Sequence, residues 1–398
     1  MKKIRIFVPV VLGLMVCSLL LGCGNVTGGG GGGGGGTASS IIYVSTTGSD
    51  DAGNGSAAKP YEHIQKGLDK VKANGTVSVE SGIYVENLVW PSTEGVTLRG
   101  ASMSTTTLDA NNVNRGILID QSDSIKTAKI EKMTITKAHR IFGGSGAGIY
   151  FSTPDTTLSL YEVYIHHCSM ESSDTVHAAG FASDLDSTTL EAIACLIKDN
   201  SVFGSGAGIG GMSIAGTCYI SSCEISDNYG GAGTGGLSVT GNGGRIENSI
   251  IHHNVSTGYY GGGLYVNVWP EIDIINCTIA SNDANDATLG KGGGVASCGG
   301  DNTLVNCIIY GNTATVASNE VWLNSGAISV TYSNIKDGYT GTGNTGDDPL
   351  FTSVTDFHLS DITPSTVYGG ATLEAMPSCD YDGNDRTDPY SMGAYEGD

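Results

Sequence analysis

Two histidine pairs occupy matching places in the chain. His166-His167 lies in Val163-Tyr-Ile-His-His-Cys168, and His252-His253 lies in Ser249-Ile-Ile-His-His-Asn254. Imidazoles serve as proton carriers, metal ligands and polar contacts. Between the two pairs, equivalent positions carry Lys198-Asp199 and Ser226-Asp227. Strand alternation places Thr136, His166, Lys198, Ser226 and His252 in one outward column, with Lys137, His167, Asp199, Asp227 and His253 beside it. Such a strip suits binding of a glycan or a metal ion. It also suits a solvated turn face, where any polar residue is acceptable. The pairs are three repeats apart, about 14 Å at sheet spacing, too far for one ion.

Aromatic residues offer a second chemistry. Tyr259 and Tyr260 lie in a glycine loop, Trp269 follows the next strand, and Trp322 comes farther on. Rings stack on the apolar CH faces of sugars without needing charge, but exposed rings also arise from loop packing. A third stretch, Cys379-Asp-Tyr-Asp-Gly-Asn-Asp-Arg386, alternates acidic and polar residues like a Ca2+ loop. It fails the EF-hand pattern, with glycine at the fourth position instead of the sixth and Ser391 where the bidentate glutamate belongs.

What would position these residues is a repeat. Its core reads Cys or Ser, any residue, Ile, two polar residues, Asn. It recurs ending at Asn200, Asn228, Asn254, Asn282 and Asn312, at spacings of 28, 26, 28 and 30. About a dozen residues before each copy stands a glycine followed by an apolar residue, as at Gly263-Leu264 and Gly294-Val295. Units of this length with short strands and no helical period predict one coil each of a parallel β-helix, about ten rungs stacked roughly 4.8 Å apart. The asparagines then form a ladder of side-chain amides. Cys195, Cys223, Cys277 and Cys307 form an inward column that Ser249 interrupts. No CxxC pair argues for a metal, so a buried thiol ladder is expected, with a Cys195–Cys223 disulfide as the alternative. At the N-terminal end Ile64, Leu68 and Val71 share a helical face and Gly75 ends it, predicting an amphipathic cap over the open edge.

At both ends the chain resembles known families. Tyr43-Val44-Ser45, Gly48-Ser49-Asp50, Lys59-Pro60, Ile64-Gln65, Gly75-Thr76 and Gly82-Ile83-Tyr84 are similar to the opening of right-handed β-helix proteins of the pectate-lyase-like superfamily. Asp348-Pro349-Leu350-Phe351, Phe357-His358-Leu359, Asp382-Gly383, Arg386 and Met392-Gly393-Ala394-Tyr395-Glu396 resemble the choice-of-anchor Q region of bacterial surface proteins. The resemblance implies an all-β, right-handed solenoid at the cell surface, and a tail turn in which Arg386 pairs with a carboxylate. Lyases of the first family pair a Ca2+-binding carboxylate cluster with a basic residue. The cation acidifies the proton that the base removes. The matching candidates are Asp184, Asp186, Asp199 and Asp227 for the ion, and Lys198, Lys137 or Arg140 for the base. Lys198-Asp199 reads equally as a surface ion pair of little energetic weight.

The chain opens with Met1-Lys2-Lys3-Ile4-Arg5, an apolar run and Leu20-Leu21-Gly22-Cys23. That order is a secretory signal, and its end resembles the bacterial lipobox, which implies lipidation of Cys23. Gly24 after the cysteine resembles export onward to an outer membrane. Nine glycines, Gly28 to Gly36, make a flexible tether. The expected organisation is a signal peptide over 1–22, a lipidated tether over 23–40, a capped β-helix over 41–345 and a closing segment over 346–398. Without Lys2, Lys3 and Arg5, 16 basic residues face 40 acidic ones. That field disfavours nucleic acid. The sequence therefore points to a monomeric, lipid-anchored surface protein that binds extracellular polysaccharide or a surface protein. A polysaccharide lyase or hydrolase using Ca2+, and a purely structural surface component, are the alternatives.

Overall fold

A computed structural model describes residues 40–121, 125–141, 146–171, 177–204, 206–258, 260–360, 364, 366–373 and 376–396. Cys23 and the glycine tether lie outside the described residues. The chain winds as a right-handed parallel β-helix. One turn shows the plan. Leu264–Val268 leads to Ile272–Ile275, then Thr278–Ala280, then Asp283–Ala284, and the chain re-enters at Val295–Ser297. Each strand pairs in parallel with its counterpart one turn away, for example Leu264 with Val295 and Ile279 with Ile309. Among the described residues this builds a broad nineteen-stranded sheet, a nine-stranded sheet and a seven-stranded sheet. The nine-stranded sheet sets about nine turns, one fewer than the repeat count predicts.

The core follows from strand alternation. Ile135, Ile165, Ile197, Ile225, Ile251, Ile279, Ile309 and Ile335 stack in register and are fully buried. Burying each isoleucine is worth about 1.5–3 kcal/mol. A second column, Ile149, Phe181, Met212, Leu237, Leu264 and Val295, fills the opposing wall.

The two sequence markers meet at one corner. Asn254 donates from Nδ2 to Asn282 Oδ1 at 2.9 Å and to Ile225 O at 2.8 Å. Its own Oδ1 accepts from Asn228 Nδ2 at 2.9 Å and from the Asn228 backbone N–H at 3.1 Å. Asn200, Asn228, Asn282 and Asn312 repeat this pattern, and Glu320 ends the ladder by accepting from Asn312 Nδ2 at 2.6 Å. Glycine precedes the next strand because the amide is already there. A Cβ on Gly236 would lie 2.6 Å from Gly263 O on the next turn and 2.9 Å from Asn254 Cγ, closer than packing tolerates.

The cysteine column is explained at the other corner. Once per turn the broad sheet bends through a residue with positive φ, such as Ala194, Ser222, Asn248, Asn276 and Asn306. The following Cys or Ser donates to the carbonyl two residues back: Cys223 Sγ to Ser221 O at 3.3 Å, Ser249 Oγ to Glu247 O at 2.8 Å. Either residue type supplies the short buried donor. Cys195, Cys223, Cys277 and Cys307 are buried free thiols. In place of a Cys195–Cys223 disulfide, Cys223 Sγ accepts the Cys195 backbone N–H at 3.4 Å.

The N-terminal helix spans only Ile64–Leu68 and stops short of the expected Gly75. Glu86 accepts the Ile64 and Gln65 N–H groups at 2.7 and 3.0 Å. Ile64, Leu68 and Val71 join the core beside Val44 and Val77. The segment from residue 346 onward lies on the outer face of the broad sheet. Phe357, Ala394 and Tyr395 cover Ile250 and Ala280, while Leu359, Val367 and Met392 cover Ile308.

Candidate functional site

The solenoid puts the polar strip in register. Asp109, Thr136, His166, Lys198, Ser226, His252, Ala280 and Tyr310 form one outward column. From Thr136 to Ala280 the next residue in the turn has positive φ: Lys137, His167, Asp199, Asp227, His253 and Ser281. Asn, Asp and His tolerate this left-handed region better than most side chains.

Each candidate base already has a partner. Lys198 Nζ is 3.1 Å from Asp227 Oδ2, Lys137 Nζ is 2.6 Å from Asp109 Oδ2, and Arg140 Nη1 donates to Asn114 Oδ1 at 2.9 Å. Burial pulls the Lys198 ammonium down, but bonding to Asp227 outweighs it and the net shift is upward. A base that is more firmly protonated is less ready to accept a proton.

The four candidate carboxylates fall into two pairs: Asp199 and Asp227 occupy the same corner of adjacent turns beside Lys198, while Asp184 and Asp186 lie elsewhere. Asp184 and Asp186 precede the strand Thr189–Ile193, whereas Asp199 follows Leu196–Lys198, so the width of the broad sheet separates them. Asp184 faces Tyr150 and Arg115 instead. Among the described residues no three His, Cys, Asp or Glu side chains converge as metal ligands.

The lower strip is covered. His252 is only 6% exposed. Its Nε2 lies 3.1 Å from Glu224 Oε1, and its ring meets Phe357 at 4.9 Å. The His252 contact, helped by Ser226, holds the Glu224 carboxyl below its usual range against the upward pull of burial. His167 is exposed to solvent and His166 is half-buried.

The aromatic residues form a compact group on another face. Tyr265, Ala296 and Trp322 stand in register on the outside of the nine-stranded sheet. The small Ala296 leaves room for Tyr260, which comes down from its loop to Trp322 with ring centroids 4.4 Å apart. Lys291 Nζ lies 4.9 Å above the Trp322 ring and 5.8 Å from the Tyr260 ring, within cation–π range. Among the described residues Lys291 has no carboxylate within 4.0 Å. Trp269, 67% exposed, lies past the far end of Leu264–Val268 and does not join this pair. Tyr259 is outside the described residues.

Sequence reasoning missed Lys291, for which only its place ahead of Gly294 gives any signal. It also missed Asn248, Asn276 and Asn306, which bind the C-terminal segment. Asn276 Nδ2 reaches Gly393 O at 3.4 Å and Asn306 Nδ2 reaches Thr372 O at 2.8 Å. The signal was an asparagine directly before Ser249, Cys277 and Cys307. The acidic stretch near the C-terminus is a turn: Asp380 accepts the Asn384 and Glu396 N–H groups at 2.8 and 3.0 Å.

These features define a parallel β-helix with a strapped outer sheet and a separate aromatic face. No family model and no curated protein matches the chain. Among solved structures it is similar to the pectate lyase Pel9A, at 13% identity and a TM-score of 0.43, over 90% of this chain and 96% of that one. It is also similar to pectin methylesterase from carrot, at 10% identity and a TM-score of 0.34, over 73% and 90% of the two chains. Pectin methylesterase PemA from Erwinia chrysanthemi gives 10% identity and a TM-score of 0.32, over 81% and 98%.

Proposed function

We propose that this protein is a surface-displayed solenoid that binds extracellular glycan, with Tyr260, Trp322 and Lys291 as the sugar platform. The observation that carries the reading is the Tyr260–Trp322 contact beneath the Lys291 ammonium, which has no carboxylate within 4.0 Å among the described residues. Two tilted rings present an apolar surface to sugar CH faces, and the lysine donates to a sugar oxygen. The repetitive face suits an extended ligand. The lipobox-like ending at Cys23 and the following glycines support display on a lipid tether, at an outer membrane or cell surface. The test is binding to a glycan panel. Trp322→Ala and Tyr260→Ala are expected to weaken the best ligand at least tenfold, equal to about 1.4 kcal/mol. Unchanged affinity in both variants sinks the proposal.

The lyase alternative makes a different forecast. Uronate polysaccharides incubated with Ca2+ would yield unsaturated products absorbing in the ultraviolet, and Lys198→Ala would abolish the rise. That outcome would replace the binding reading.

A further inference from the structure

Each turn leaves the broad sheet through the same two-residue corner. The first residue ends a strand and faces out, and the second has positive φ, 51° at both His167 and His253. This step swings the second side chain back beside the first. Where both are histidine, two imidazoles converge. The Nδ1 atoms are 2.5 Å apart at His166–His167 and 2.7 Å apart at His252–His253. The rings stand at 82° and 86° to one another. The same arrangement arises from two separate stretches of sequence, so the corner itself produces it.

We propose that His166 and His167 form a bidentate site for a divalent transition ion of the Zn2+, Ni2+ or Cu2+ class, which imidazole donors suit. Such ions bind imidazole nitrogen at about 2.0–2.1 Å, so two nitrogens lie about 2.9 Å apart at the right angle of square-planar Cu2+ or Ni2+ and about 3.3 Å apart at the tetrahedral angle of Zn2+. The pair needs to open by about 0.4–0.8 Å to reach those bites. Tyr164 stacks on the His166 ring at 4.2 Å and fixes its plane. Thr136 Oγ1 lies 3.5 Å from His166 Nδ1 on the preceding turn. Asp199 occupies the matching corner of the following turn, because His166 is in register with Lys198. One turn is about 4.8 Å, so Asp199 reaches the ion through a bridging water and not as a third direct ligand. Lys198, which would repel the ion, is drawn to Asp227 on the turn beyond. Solvent completes the shell, since His167 is exposed.

The second pair is a built-in comparison. His252 Nε2 is held by Glu224, and Phe357 packs against both rings at 4.9 and 6.1 Å. That pair serves the docked C-terminal segment, so the open pair is the one assigned to the ion.

The test titrates the full-length chain in detergent with Cu2+, followed by electron paramagnetic resonance, and with Zn2+, followed by calorimetry. The expected result is one tight equivalent showing nitrogen hyperfine structure. His166→Asn and His167→Asn should each weaken it at least tenfold, because a chelate needs both rings. A His166→Thr/His167→Lys variant recreates the Thr136-Lys137 corner that the solenoid already accommodates, so it tests the site in a folded protein. Retained affinity in that variant, loss only on replacing His252 and His253, or no binding tighter than millimolar would each overturn the proposal.

Discussion

Arg386 Nη2 donates to Asn248 Oδ1 at 2.9 Å across 138 residues of chain. The same guanidinium bonds the carbonyls of Gly393 and Ala394 at 3.0 and 3.1 Å and pairs with Glu396 at 3.2 Å. Arg386 is 8% exposed, so this one side chain joins the C-terminal segment to itself and to the solenoid. Removing one partner of a buried pair leaves the other charge uncompensated, typically at a cost of about 3–5 kcal/mol. Arg386→Met is therefore expected to release the segment while the solenoid stays folded. Limited proteolysis should then cleave beyond residue 346 first. A variant with parental cleavage kinetics would refute this role.

The amide ladder makes a sharper forecast. Asn254→Ala removes the acceptor for Asn228 Nδ2 and the Asn228 N–H, and the donor to Ile225 O and Asn282 Oδ1. Buried polar groups left unpaired cost about 1–3 kcal/mol each. Water entry into the vacated corner offsets part of that, and a net loss of roughly 2–4 kcal/mol is expected. Asn254→Asp keeps the acceptor but turns a buried carboxylate on Ile225 O and Asn282 Oδ1, so at neutral pH it should be at least as destabilising as Asn254→Ala. Urea unfolding measures the order. A loss in Asn254→Ala no larger than for an exposed asparagine would contradict it.

Burial also silences the thiols. It pushes Cys168, Cys218 and Cys307 up to about 12, so the reactive thiolate is scarce at neutral pH. Cys298 is only partly buried. Brief alkylation of the native protein at pH 8, read by peptide mass, should mark Cys298 well before Cys195, Cys223, Cys277 or Cys307. All should react once unfolded. Equal labelling of Cys223 and Cys298 in the native state would show the column to be open.

What was legible in the sequence is what every turn repeats. Asn254 and Gly236 face the same packing problem as their counterparts one turn away, so the constraint recurs and shows as a period. The docking of the C-terminal segment is not periodic. Asn248 before Ser249 looks like a variable residue until Arg386 arrives from 138 residues away. His252 reads as outward and polar, and outward it is; only Phe357 makes it buried. The separation of Asp186 from Asp199 has a related reason. Asp186 and Asp199 are close in sequence, but thirteen residues of extended chain carry them to opposite edges of one sheet. The helix was overextended because Val71 is buried from beyond the helix end, not from its face.

His358 gives the C-terminal segment a pH response. It lies between Asp356 at 2.5 Å and Asp382 at 2.8 Å and stacks on Tyr395 at 3.8 Å. Burial opposes protonation, but the two carboxylates outweigh it and the net shift is upward. A raised imidazole contributes stability below its ordinary value of 6.5, and that contribution is lost as pH rises through the folded value. Proteolytic release of the segment should accelerate on the alkaline side. His358→Gln should flatten the profile, and an unaltered profile would exclude the imidazole as its source.

Glu320 acts at the ladder's end. Its carboxylate accepts the Gly311 N–H at 3.0 Å and Asn312 Nδ2 at 2.6 Å, in the place where a further asparagine would stand. Burial raises it to about 7, despite these bonds and the field of Lys336 pulling it down. The unfolded carboxyl titrates near 4.5. Between those values the folded chain holds a proton that the unfolded chain has lost, so stability falls as pH rises from about 4.5 to about 7. The full shift corresponds to something on the order of 3 kcal/mol. Glu320→Gln carries no charge, so it should flatten this part of the profile and leave the variant more stable than the parent above pH 7. Glu320→Ala, which leaves Asn312 Nδ2 without its acceptor, should be less stable than Glu320→Gln at every pH. Urea midpoints from pH 4 to 9 for the three proteins decide the matter: parallel profiles for parent and Glu320→Gln would mean the carboxylate is solvated.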